Sequence, residues 1–223
     1  MKKYDLVIFD KDGTLLDTSL GIYNTNRKTM EKLGIPQPPP EKLKEIMGPP
    51  LEYCFHNVCG VPMERLQEAI DYYMVIYKEA GMHEMEPYDG MIDTLQRLKD
   101  AGCKLGVATL KEHVFVGPIL EENNMLHYMD AYHGSTHDAQ GLITTKTAVI
   151  RKCMEDCGVD PSRTLMVGDS RYDGEGAMEA GVDFVGVTYG FSIHSPADLE
   201  GVPFVLLADT PQAVADFVLG KEE

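Results

Sequence analysis

The chain has 223 residues, 43% hydrophobic and 25% charged, the proportions of an ordinary globular protein with room for a core domain and a smaller attached one. Its 36 acidic residues outnumber 20 basic ones for a formal charge of -16. That balance excludes a binder of nucleic-acid backbones, which needs patches of Lys and Arg to release counterions.

Any anionic substrate must therefore be attracted locally. The opening "MKKYDLVIFD" reaches Asp10 after four apolar residues, too few for the apolar region of a signal peptide, and no run approaches transmembrane length. Cys54, Cys59, Cys103, Cys153 and Cys157 form no C-x-x-C pair and are odd in number, which favours reduced thiols packed as small core residues. Cys153 and Cys157 have no histidine at ligand spacing, so packing is preferred there over a metal site. The expectation is a cytoplasmic protein with no nucleic-acid or membrane partner.

Along the chain, β-rich runs recur at "YDLVIF" (4–9), "CKLGVAT" (103–109), "DAYHGS" (130–135), "TLMVG" (164–168), "DFVGVTY" (183–189) and "PFVLLA" (203–208). Amphipathic patterns separate most of them, such as Met91, Ile92, Leu95 and Leu98 before Gly102. Strands with little alternation between helices predict an α/β fold, a doubly wound parallel sheet covered on both faces. From about Ser19 to Ala80 the rhythm changes to helical spacing alone, punctuated by "GIPQPPP" and "GPP". This predicts a helical bundle inserted after the first strand, giving a core of residues 1–16 and 86–223 and a helical cap of 17–85. Tyr72, Tyr73 and Tyr77 on the second helical stripe read as core packing, and His133 and His137 in "HGSTH" as loop residues.

The chemistry concentrates in "LVIFDKDGTLLDT". Asp10 and Asp12 are two apart, so in extended chain both side chains leave on the same side, at the carboxyl end of the first strand. In doubly wound sheets that edge binds ligands where strand order reverses. "KLGVA" runs into Thr109 and "TLMV" into Gly168-Asp169, so neighbouring strands would bring Thr109 and Asp169 to the same edge. Clustered carboxylates repel unless something positive joins them, and Mg2+, a hard cation that takes carboxylates, phosphate oxygens and water, is the natural candidate. Lys146, at a helix start, could screen Asp10 and hold a phosphoryl oxygen.

The ordered set Asp-x-Asp-Gly-Thr, Thr, Lys, Gly-Asp-x-x-x-Asp resembles the haloacid dehalogenase-like superfamily of phosphohydrolases. "FDKDGTLLDT", "GVATLK", Lys146 and "VGDSRYD" match its four motifs, and "IMGPPLEY", "PYDGM", "AMEAGV" and "VTYGF" resemble its phosphoglycolate phosphatase-like branch with a helical cap. The resemblance implies a phosphatase acting on a small phosphate ester, with Asp10 the nucleophile and Asp12 the general acid and base. It further implies Mg2+ held by Asp10, Asp169 and the Asp12 carbonyl with Asp173 in support. Thr109, Lys146 and backbone N–H groups near Gly13 would hold the phosphoryl oxygens, and the cap would serve as a lid, with the "MGPPLEY" loop, Tyr23 and Arg27 facing the phosphate.

Asp12 disfavours the family's dehalogenases and phosphonate hydrolases, which lack it, and Ile22 stands where the phosphosugar mutases carry a histidine. Phosphoglycolate, a nucleoside monophosphate, a sugar phosphate and pyrophosphate all stay open as substrates, as does the oligomeric state, with a monomer compatible. A phosphoacceptor signalling domain is the reading from another class. It is opposed by the acidic pair being split by Lys11, by the "DGT" that follows and by the helical insertion.

Overall fold

The structure, a computed structural model, describes residues 2–47, 49, 51–136 and 144–221. His137, Gly48 and Pro50 therefore lie outside the described residues. The chain forms two compact units, Met1–Leu16 with Pro87–Glu223, and Asp17–Glu86.

In chain order, β1 (Leu6–Phe9) is followed by β2 (Leu16–Asp17) and the helical unit, whose main helices are α1 (Ser19–Leu33), α2 (Leu51–Tyr53) and α3 (Leu66–Glu79). The chain returns through β3 (Glu86–Pro87), which pairs with β2 as a two-stranded ribbon. Then come α4 (Met91–Asp100), β4 (Lys104–Glu112), α5 (His113–Glu122), β5 (Ala131–Ser135), α6 (Lys146–Cys157), β6 (Thr164–Gly168), α7 (Arg171–Ala180), β7 (Asp183–Val187), β8 (Leu206–Ala208) and α8 (Pro211–Leu219).

Six strands make one sheet in the order β5-β4-β1-β6-β7-β8, all its pairs parallel. All four β1 side chains are buried, as expected of a strand covered on both faces. β1 has β4 on one side and β6 on the other, and the later strands run outward from each, so strand order reverses at β1. Phe9 registers with Val107 and with Val167, which places Asp10, Ala108 and Gly168 level at the carboxyl edge. β4 runs on to Glu112, past the Thr109 where the sequence pattern stops, because its register with β5 slips between Ala108 and Glu112. Such a bulge keeps the backbone extended while re-aiming the side chains it carries. Conversely, of the 203–208 run only Leu206–Ala208 is strand.

The helical unit is built on α1 against α3. Where α1 meets the turn Gly81–His83 that follows α3, the approach needs glycine: a Cβ on Gly21 would lie 2.2 Å from the Gly81 carbonyl oxygen. Tyr73 and Tyr77 are buried with rings stacked 5.8 Å apart, while half-buried Tyr72 lies under the Lys32 ammonium at 4.5 Å, so this tyrosine stripe serves packing. Among the described residues no helix is long and apolar enough to cross a membrane.

Candidate active site

Asp10 directly follows β1, and its backbone N–H donates to the Val167 carbonyl at 2.9 Å and so holds it at the sheet edge. Lys146, the first residue of α6, reaches back to this edge: its Nζ donates to Asp10 Oδ1 at 2.8 Å and to the Ala108 carbonyl at 3.0 Å. The same Nζ lies 2.7 Å from Asp173 Oδ1. That second contact is an ion pair outside hydrogen-bond geometry, which leaves Asp173 Oδ1 a buried oxygen without a hydrogen bond. Asp173 Oδ2 is spoken for by the Ser170 hydroxyl at 2.6 Å and the Ser170 N–H at 3.0 Å, the capping box of α7. Asp169, directly after β6, accepts from the Phe191 N–H at 2.7 Å.

The ligating oxygens of Asp10, Asp169 and Asp173 lie within 4.8 Å of one another, and all three residues are buried. Electrostatics follows from that crowding. Burial, then the neighbouring Asp173 and Asp12 charges, push Asp10 up to about 6 against the pull of Lys146. Burial and the charges of Asp173 and Asp10 raise Asp169 well above the carboxylate range, opposed by the Phe191 N–H. Burial alone would lower Lys146, but Asp10 and Asp173 more than offset it and the ammonium is held charged. With all three carboxyl groups ionised, the one ammonium would leave two negative charges, the complement of one divalent cation. The buried Asp173 oxygen and the all-oxygen donor set fit a hard cation such as Mg2+.

The other candidates sit around this cluster. Thr109 is buried one residue beyond the carbonyl that Lys146 binds, and its Oγ1 accepts from the Lys111 N–H at 3.1 Å. Gly13 has φ +76°, and its N–H is committed to the Leu16 carbonyl at 2.9 Å. The turn also needs it to lack a side chain: a Cβ there would lie 2.3 Å from Asp169 Oδ2.

Residues 7–187 match the family described as haloacid dehalogenase-like hydrolase. The chain belongs to that family. It is 34% identical over 189 residues, 85% of each chain, to a 5'-nucleotidase of Pseudomonas aeruginosa. It is 29% identical over 215 residues, 92% of this chain and 88% of the other, to a phosphoglycolate phosphatase of Agrobacterium fabrum. A haloacid dehalogenase-like family hydrolase from Streptococcus pneumoniae has the same fold with a TM-score of 0.88 at 29% identity, over 97% of this chain and 99% of that one. These relatives place this haloacid dehalogenase-like hydrolase among the family's phosphatases.

Two lysines beside the site escape a reading of the sequence. Lys11, there only a spacer between two aspartates, is wholly buried, and its Nζ lies 2.5 Å from Asp12 Oδ1. It lies in the turn beyond β1, where strand alternation gives no signal. Lys111 lies in the β4 bulge, and burial together with the Lys11 charge lowers it to about 8 against the attraction of Asp12. No periodicity announces a bulge, so this residue carried no signal. Away from the site, His133 Nε2 pairs with Asp156 at 2.7 Å on the sheet's outer strand.

Proposed function

We propose that this chain is an Mg2+-dependent phosphatase that hydrolyses a small phosphorylated metabolite, a phosphoglycolate-like monoester, through an aspartyl-phosphate on Asp10. The observation that carries this reading is the ammonium of Lys146 set between Asp10 and Asp173 at the switch point of the sheet. A buried carboxylate beside a fixed cation is a poor structural device and a good nucleophile site.

In the first half-reaction an Asp10 oxygen attacks phosphorus, the bond from phosphorus to the ester oxygen breaks, and Asp12 gives its proton to the departing alcohol. In the second, Asp12 takes a proton from water, the resulting hydroxide displaces Asp10 from phosphorus, and inorganic phosphate leaves. Lys146 and Thr109 hold phosphoryl oxygens, and Lys11 sets the direction of the Asp12 carboxylate. Asp10, Asp169 and the Asp12 carbonyl would hold Mg2+, with Asp173 in support, and the cation would supply charge neutralisation for the transferring group. This local positive charge is what an anionic substrate needs in a chain of net charge -16. All five cysteines are free and buried, which supports a reducing, cytoplasmic setting.

A second substrate reading, a nucleoside monophosphate, is favoured by the 34% identity to a 5'-nucleotidase. Phosphate release from phosphoglycolate, nucleoside monophosphates, sugar phosphates and pyrophosphate, each with Mg2+ and with chelator, separates the two. Turnover of one class in Mg2+ and none in chelator is expected. No turnover of any ester in Mg2+, or equal turnover in chelator, overturns the proposal.

A further inference from the structure

The segment Tyr189–Phe191, just beyond β7, is tied to the proposed metal site at more points than a connecting loop requires. The Phe191 N–H donates to Asp169 Oδ2 at 2.7 Å, and the Ile193 N–H donates to the Asp169 backbone carbonyl at 2.9 Å. Tyr189 crosses to the other side of the site: its hydroxyl donates to the Thr14 carbonyl at 3.2 Å, and its ring packs on Tyr88 with centroids 4.8 Å apart. The turn that carries Asp12 and Gly13 and the carboxylate of Asp169 are thus fastened to one short segment.

Between these fastenings there is no spare room. A Cβ on Gly190 would stand 2.3 Å from Asp169 Cβ and 2.3 Å from the Gly13 carbonyl oxygen. Neither neighbour is the end of a flexible side chain, so an added methyl group must displace Asp169, the Gly13 turn, or the loop itself. Gly13 meets the same wall from the opposite side, with the Phe191 ring 2.8 Å from the Cβ it lacks. Two glycines, one carboxylate and one aromatic ring interlock.

We infer that Tyr189–Phe191 is a positioning clamp for the divalent cation, with Gly190 and the Phe191 N–H holding Asp169 in the rotamer that brings its oxygen to those of Asp10 and Asp173. The inference rests on the proposed metal site. Outer hydrogen bonds that orient a ligating carboxylate govern metal affinity, so the clamp acts on cation binding before it acts on chemistry.

The test is titration of the purified full chain with Mg2+ by calorimetry, alongside the Mg2+ concentration giving half-maximal phosphate release. Gly190→Ala is expected to weaken Mg2+ binding by about tenfold or more. Tyr189→Phe, a change that keeps shape and loses one hydrogen bond, is expected to weaken it by about threefold and to leave kcat at saturating Mg2+ unchanged. Val185→Ala loosens the buried core of β7 without touching the clamp, and its Mg2+ affinity is expected to match wild type. Wild-type Mg2+ affinity in both Gly190→Ala and Tyr189→Phe overturns the clamp. So does an equal loss in Val185→Ala, since any loosening would then suffice, and so does a wild-type chain that binds no Mg2+. A wild type that binds Mg2+ yet releases no phosphate from any ester leaves the clamp standing and removes the proposed hydrolysis.

Discussion

The two units of the chain bury polar groups in opposite ways. In the sheet unit, Asp10, Lys11, Lys146, Asp169 and Asp173 are all buried, five ionisable groups at one end of one sheet. In the helical unit, the described buried polar residues are the neutral Thr18, Thr25, Asn26 and Thr29. Thr25 and Thr29 bond back along α1, to Gly21 and Thr25 carbonyls at 2.7 and 2.8 Å, and Asn26 meets the Cys59 sulfur at 3.5 Å. Thr18 Oγ1 is buried without a hydrogen-bond partner, yet a neutral hydroxyl costs far less to bury than a charge, which is expensive even when paired. The difference teaches that the sheet edge is organised against its own stability, as reactive sites are, and the helical unit is organised for packing.

The sharpest way to break this contrast is at the nucleophile. Asp10→Asn is expected to lower phosphate release by at least about a thousandfold. The same change has a signed consequence for stability. A folded-state pKa raised from 3.8 to about 6 means that ionised Asp10 is worse placed in the folded chain than in the unfolded one. Its contribution is therefore fully present below pH 3.8 and lost as pH rises through about 6. In chelator at pH 7 Asp10→Asn should thus melt above wild type, with the gap closing towards pH 4. Added Mg2+ should stabilise wild type more than the variant. Melting curves across pH, with and without cation, decide it; a variant that melts lower at pH 7 in chelator shows the site to be a stabilising one.

Lys146→Met asks the opposite question by removing the cation paired with both Asp10 and Asp173. Breaking a buried pair and leaving its partner uncompensated costs about 3–5 kcal/mol. In chelator at pH 7 chemical denaturation should show a loss of that size, and Mg2+ should recover part of it. A loss below about 1 kcal/mol, the worth of an exposed pair, would mean that Asp10 and Asp173 are already compensated by solvent.

The legibility of the sequence divides along the same line. The parallel sheet could be read because buried strands are near-continuous apolar runs: "TLMVG" is β6 in full, and "DFVGVTY" and "DAYHGS" contain β7 and β5. Asp10, Asp169 and Lys146 could be nominated because each directly follows a strand or opens a helix, where the pattern changes abruptly, while Asp173 came only with the family resemblance of "VGDSRYD". What could not be read depends on register and on contacts remote in sequence. The slip that extends β4 to Glu112 has no hydrophobic signature, and neither has the match of Gly190 to Asp169 and Gly13. Gly13 was legible as a turn residue from its type, but the Leu16 carbonyl that takes its N–H is visible only in the folded turn. In the helical unit the stripes gave α1 and α3, and the short pieces read around Leu43–Met47 and Leu51–Val58, between the proline and glycine breaks, overlap the turns at Pro40–Ile46 and Cys54–Val58.

The smallest effect belongs to the helical unit and bears most directly on the contrast. Thr29 is fully buried, and its hydroxyl donates only along its own helix, to a carbonyl four residues back. Thr29→Val keeps the branched shape and removes that donor. The Thr25 carbonyl stays within the helical ladder, so no buried acceptor is stranded, and the expected loss is about 1 kcal/mol or less. Turnover of whichever ester the panel selects should be unchanged, in kcat and in KM. Denaturation and steady-state kinetics on one preparation give both answers. A stability loss several times larger would mean that the helical unit has its own high-stakes polar network. A fall in kcat at unchanged stability would mean that its interior takes part in the chemistry, and the division between a reactive sheet edge and a packing unit would fail.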